Sequence, residues 1–270
     1  MKDILQAPFI AEMAATCANM YRLGWDERNA GNISLRLDAR ELADYLDLSA
    51  VQRVIPFDLD ASALAGKYYL VTGTGKYFKN VPAKPAECLG ILRIAESGHA
   101  AELLWGYEDG GSFTSELPAH LMSHIARRGV EPEQRVVLHA HPTYTIAMSK
   151  IHELDERSFS RSLWKNLSEG IMVFPRGVAI LPWMVFGTAA IGEATAEKMK
   201  HSPLVLWPLH GIYGAGRSLD ETFGLVETVE KAAQIYVLTA ALPARNEIPD
   251  AGLRELAETL GLDYRRDYLD

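Results

Sequence analysis

The sequence predicts an α/β protein in three layers, α/β/α, around a central mixed and largely antiparallel sheet, as a single domain over residues 1–270. Strand-like runs occur in pairs around glycine turns, as in hairpins. Helix-period segments are mixed among them and do not follow each strand in turn, which argues against a doubly wound sheet. At 270 residues, with 48% hydrophobic and 23% charged residues, the chain can bury one large core without staples.

Residues 8–23 read as an amphipathic helix, with Pro8 in the first turn, an apolar face from Phe9 to Tyr21, and Gly24 closing it. Asn32 to Asp38 alternates polar and apolar residues, the pattern of a half-exposed strand. The stretch 39–66 reads as an irregular surface excursion. Residues 67–72 form a strand entering the turn Gly73-Thr-Gly75, and 91–94 with 102–105 form a hairpin around Ser97-Gly98. A helix is expected from Thr114-Ser115 to about Arg128, then a strand at 135–140 and helices at 142–152 and 156–166. Strands are expected at 171–174, 178–181 and 203–208, and helices at 188–200, 219–241 and 250–260. No repeat, low-complexity tract or linker interrupts this order.

A net charge of −8 argues against a general nucleic-acid or anionic-membrane surface, so an anionic substrate would need a local site. Cys17 and Cys88 are too few for a disulfide framework, which makes a reducing, cytoplasmic setting the default. The N-terminal residues carry charge early and lack the apolar core of a signal peptide. No run reaches the roughly 18 apolar residues of a membrane span.

Chemistry concentrates first in Arg135-Val-Val-Leu-His-Ala-His141. Side chains two apart on a strand share a face, so His139 and His141 can grip one ion together. A third imidazole is available from His210, in Leu206-Trp-Pro-Leu-His-Gly211. Single histidines are ordinarily packing residues, but two on one strand face with a third ending a similar strand favour metal. Three nitrogens with one open position is the pattern of a catalytic zinc. The second concentration is Phe113 to His120, where Glu116 follows Thr114 and Ser115 at a helix start. Dipole complementation alone accounts for an acid there. Two hydroxyls at a helix start also make an anion site, with Glu116 beside whatever binds.

Asn29-Ala-Gly31-Asn32 and Thr72-Gly-Thr-Gly75-Lys76 are turn sequences first. Functionally they read as two loops able to cradle an oxyanion. They are not a P-loop, since Leu70 and Tyr77 stand where glycine and Ser/Thr are needed, and Phe78 breaks the dinucleotide fingerprint. His120 and His124 have metalloprotease spacing, but Leu121 replaces the required glutamate, so they read as packing or hydrogen-bonded residues. No G-x-S-x-G elbow exists, and no lysine sits in an apolar strand as a Schiff base would require.

Taken in order, Trp25-Asp-Glu-Arg-Asn-Ala-Gly-Asn32, Val71-Thr-Gly-Thr-Gly-Lys76, Thr114-Ser-Glu-Leu-Pro-Ala-His120, His139-Ala-His141 and Leu206-Trp-Pro-Leu-His-Gly211 make the chain resemble the class II aldolase/adducin family over nearly its whole length. Leu181-Pro-Trp-Met184 and Leu219-Asp-Glu-Thr-Phe-Gly224 bring it nearest the branch acting on L-rhamnulose 1-phosphate. The resemblance implies reversible retro-aldol cleavage to dihydroxyacetone phosphate and L-lactaldehyde, part of rhamnose degradation. It implies one Zn2+ per subunit on His139, His141 and His210, stabilising an enediolate, with Glu116 as acid/base. It gives the phosphate to Asn29, Gly31, Asn32, Thr74, Gly75, Thr114 and Ser115. Glu169 matches a second carboxylate that reaches the aldehyde end from a neighbouring subunit, since the family's sites lie near interfaces of a homotetramer. Two alternatives stay open: a pentulose-phosphate 4-epimerase using the same bond cleavage, and a metal-free scaffold module of the adducin kind.

Overall fold

The computed structural model describes residues 1–243 and 245–270. Its strands are β1 (Asn32–Leu37), β2 (Arg53–Pro56), β3 (Tyr68–Thr72), β4 (Leu89–Ile94), β5 (Ala100–Gly106), β6 (Val136–Ala140), β7 (Ala179–Ile180), β8 (Leu204–Trp207) and β9 (Gly211–Gly216). They form one sheet in the order β2-β5-β4-β3-β1-β6-β9-β8-β7. Each neighbouring pair is antiparallel except β7 with β8, so the sheet is mixed and largely antiparallel, as expected.

The helices are α1 (Pro8–Leu23), α2 (Ala39–Leu42), α3 (Pro85–Cys88), α4 (Leu117–Val130), α5 (Thr143–Ile151), α6 (Glu156–Asn166), α7 (Ser168–Val173), α8 (Ala189–Met199), α9 (Leu219–Thr239) and α10 (Asp250–Thr259). Period-2 alternation sends Ile33, Leu35 and Leu138 to a core shared with α1, α6 and α9, through Ile10, Phe159 and Val226. Val137, Val205 and Tyr213 point the other way, to a core closed by Ala119 of α4 and Ile191 of α8. These are the three layers.

The termini of α1 follow its sequence, Pro8 in the first turn and Gly24 at φ +73° as the left-handed cap. Four expectations need correction. The 39–66 excursion contains α2 and the edge strand β2, which pairs with β5. Residues 171–174 are not a strand, for α7 occupies most of them. A short apolar run cannot distinguish the two states; here Ile171 and Phe174, three apart, are buried while Met172 is 44% exposed, the helical spacing. β9 lies in the middle of the sheet although Gly211, Gly214 and Gly216 dilute its strand signal. The polar positions of β1 are not solvated: Asn32 and Ser34 are buried beneath α4.

Candidate active site

Two loops and the ends of β1, β3, β6, β8 and β9 meet at one end of the sheet's interior strands. The first loop joins α1 to β1, and its Trp25 carbonyl accepts the His141 backbone N–H at 2.9 Å. Gly31 turns the chain at φ +74°, where an added Cβ would stand 3.2 Å from the His139 carbonyl. Glycine is therefore required both for the angle and for the approach. The second loop leaves β3; Thr74 N–H donates to Ser112 O at 2.8 Å, and Thr114 N–H to Thr72 O at 3.0 Å. Those bonds set Thr74 and Gly75 beside Thr114 and Ser115. The Thr114 hydroxyl accepts the Glu116 N–H at 3.3 Å, and Glu116 itself is the residue preceding α4.

His139 lies on β6 opposite Asn32 of β1. His141 follows the strand end, and His210 sits in the turn between β8 and β9. Leu209 at φ +62° and its N–H bond to the Ser149 hydroxyl, 3.0 Å, hold that turn against α5. One side-chain nitrogen from each of the three histidines lies within 4.8 Å of the others. A carbonyl and a carboxylate only accept, so the contacts assign protons to two outer nitrogens. His139 Nδ1 donates to Ile212 O at 3.1 Å, and His141 Nδ1 donates to Glu27 Oε1 at 2.9 Å. Both Nε2 atoms then turn inward, 3.2 Å apart. Burial first, and then the other two imidazoles, push His139 well below the usual histidine range; burial also lowers His210. Three imidazoles facing one point fit a metal. On a tetrahedral zinc with bonds of about 2.0–2.1 Å, two nitrogens stand roughly 3.3 Å apart, close to the 3.2 Å between the His139 and His141 Nε2 atoms. The Glu27 carboxylate behind His141 is the kind of outer partner that orients a ligand.

Glu116 stands over this group, its Oε2 4.0 Å from His139 Nε2. The same oxygen accepts from the Tyr213 hydroxyl at 2.6 Å and from Asn32 Nδ2 at 3.1 Å. The cleft encloses about 750 Å³ and is lined by Asn29, Gly31, Asn32, Thr74, Gly75, Thr114, Ser115, Glu116 and the three histidines. Every site residue expected from the sequence is thus brought together except Glu169, which lies exposed on α7 and does not line the cleft of its own chain.

Sequence reasoning missed four residues. Arg28, at φ +60°, is the one Lys or Arg lining the cleft among the described residues, and no ion pair engages it. Glu27 and Tyr213 orient groups already identified, and nothing in their local sequence distinguishes them. Phe186, 63% exposed, has its ring 5.0 Å from that of His210. Only Arg28 had a signal, as a cation inside an Asn/Gly turn.

The Class II Aldolase and Adducin N-terminal domain family model matches residues 11–237. Rhamnulose-1-phosphate aldolase of Listeria monocytogenes is 56% identical over 270 residues, 100% of this chain and 99% of that protein. The Enterococcus faecalis protein of the same name is 56% identical over 269 residues, covering 99% and 96%. Among solved structures, a sugar-phosphate aldolase from Thermotoga maritima superposes with a TM-score of 0.75 at 29% identity, over 87% of this chain and 96% of that one. L-fuculose-1-phosphate aldolase from Thermus thermophilus shares the fold at 20% identity, with a TM-score of 0.55 over 88% and 100%. The chain therefore belongs to the class II aldolase family, and its chemistry is that of a carbon–carbon lyase.

Proposed function

We propose that this protein cleaves L-rhamnulose 1-phosphate reversibly to dihydroxyacetone phosphate and L-lactaldehyde, residues 1–270 acting as one domain with one zinc per subunit. The observation carrying this reading is the approach of Glu116 to 4.0 Å from a histidine of a three-imidazole cluster, inside a cleft also lined by the Asn29–Asn32 and Thr74–Gly75 loops. Relatives named for this substrate at 56% identity over the full chain support the choice of sugar.

The substrate phosphate rests on the Asn29–Asn32 and Thr74–Gly75 loops and the Thr114 and Ser115 hydroxyls, with Arg28 supplying a positive charge. This local attraction offsets the chain's net charge of −8. Anchoring the phosphate away from the breaking bond fixes the sugar's orientation. His139, His141 and His210 would hold the zinc, which when bound supplies a Lewis acid to the substrate's ketone and hydroxyl oxygens. As the C3–C4 bond breaks, the C4 hydroxyl gives its proton to the Glu116 carboxylate and becomes the aldehyde carbonyl. The bonding pair stays on C3, and Glu116 delivers a proton there. In the synthetic direction Glu116 removes that proton. Glu169 from a neighbouring copy reaches the aldehyde end, in agreement with its exposure and its distance from its own cleft. The homotetramer is carried over from the family resemblance, and exposed Trp183 and Phe186 at the cleft margin support a site closed by a second subunit.

A product trap tests the reading. Incubating zinc-loaded protein with L-rhamnulose 1-phosphate should release free aldehyde in equal amount to dihydroxyacetone phosphate. An isomeric sugar phosphate with no free aldehyde would instead identify an epimerase.

A further inference from the structure

His120 and His124, at a spacing that fails as a metal motif, are tied into the site through β1. His124 Nε2 and His120 Nδ1 each lie 2.8 Å from the Ser34 hydroxyl oxygen. His120 Nε2 contacts Asn32 Oδ1, and Asn32 Nδ2 donates to Glu116 Oε2. His120 and Ser34 are fully buried and His124 nearly so, so the chain excludes water. We propose that His124, Ser34 and His120 form a buried hydrogen-bond relay that holds the Asn32 amide in one orientation and thereby aims the Glu116 carboxylate. The relay rests on the reading of Glu116 as the acid/base.

The protons of this chain have one assignment compatible with an ionised Glu116. A carboxylate only accepts, so the Asn32 amide nitrogen faces it and the amide oxygen faces His120. That oxygen only accepts, so His120 carries its proton on Nε2. Burial pushes His120 down to about 4, leaving it neutral with a bare Nδ1. The single Ser34 hydroxyl proton goes to that nitrogen, and Ser34 accepts in turn from His124 Nε2–H. An amide flip would set Asn32 Oδ1 against Glu116 Oε2 and Asn32 Nδ2 against the His120 proton, two repulsions at once. With the amide fixed, Oε2 of Glu116 is engaged by both Asn32 and Tyr213, while among the described residues no group bonds Oε1. Oε1 is therefore the oxygen that exchanges the proton with carbon. His120 and His124 are positioning residues.

The test compares His120→Leu, which removes the donor, with His120→Gln, whose side-chain amide can reach the same point. Both are assayed as zinc-loaded enzymes, alone and combined with Glu116→Gln. We expect His120→Leu to lower kcat about tenfold, in line with one hydrogen bond to a charged group. Its bound zinc should stay near wild type, any rise in KM should be smaller than the fall in kcat, and His120→Gln should recover turnover to within about threefold. In the Glu116→Gln background, His120→Leu should cost less than about twofold more. Unchanged kcat in His120→Leu, equal damage in both His120 variants, or full additivity overturns the relay. Wild-type turnover in Glu116→Gln alone sinks the Glu116 reading instead, and the relay's purpose with it. Imidazole nitrogen NMR of the unmodified protein provides a check that needs no variant. A proton on Nε2 of His120 supports the relay, and one on its Nδ1 overturns it.

Discussion

The Tyr213 hydroxyl donates to Oε2 of Glu116 at 2.6 Å while the Tyr213 ring stacks on His139, centroids 4.5 Å apart. One side chain thus fixes the distance between the Glu116 carboxylate and the imidazole cluster. Burial, with Glu116 alongside, raises Tyr213 well above the usual phenol range, so it remains a donor. Tyr213→Phe keeps the ring and removes the hydroxyl. Turnover should fall about tenfold, the scale of a lost hydrogen bond to a charged acceptor, with zinc content unchanged. Steady-state kinetics with metal analysis checks both.

Glu116→Ala removes the proposed proton carrier itself. A drop of about 10²–10⁴ in kcat is expected, the usual worth of general acid–base catalysis. Zinc should stay bound, because Glu116 is not among the three grouped histidines. Loss of metal in this variant would mean that Glu116 had been misassigned.

Glu27→Ala leaves His141 Nδ1 without its carboxylate acceptor. Affinity for zinc should weaken by about tenfold, at the lower end of the range for outer partners because Glu27 is largely exposed. Titration against a competing chelator measures this, and unchanged affinity would remove Glu27 from the account.

Asp26 gives a prediction about pH. It is 2% exposed, neither carboxylate oxygen has a hydrogen-bond partner, and burial pushes it up to about 7. The Phe78 backbone amide offsets this partly, although it falls outside hydrogen-bonding geometry. The folded state therefore holds a proton that the unfolded chain releases near 3.8. Stability from this group is full below pH 3.8 and is lost as pH rises through about 7. Asp26→Asn should raise the melting temperature relative to wild type increasingly from pH 5 to about pH 8. A constant offset across that range would show that Asp26 does not titrate there.

How much of the molecule the sequence discloses depends on whether the cause is local. His139 and His141 were legible because strand periodicity alone puts them on one face, and His210 because it ends a second apolar run. Pro8 and Gly24 mark the ends of α1 by backbone preference. By contrast, β9 was hidden: an added Cβ at Gly211 would collide with the Ala140 carbonyl and stand 2.8 Å from His141 Cδ2, so close packing dictated glycine where propensity reads a loop. Asn32 and Ser34 looked solvated because a buried polar face and an exposed one share the same alternation. Only the arrival of α4, with His120 and His124, separates the two. Tyr213 and Glu27 act across 97 and 114 residues of sequence, a separation at which no local pattern operates.

The most direct test of the central claim measures dihydroxyacetone phosphate released from L-rhamnulose 1-phosphate by a coupled assay, with and without chelator, beside metal analysis of wild type and His139→Ala. The account predicts about one zinc per wild-type chain, release abolished by chelator and restored by zinc, and little metal or activity in His139→Ala. Release that persists in metal-free protein, or stoichiometric zinc in His139→Ala, would contradict it.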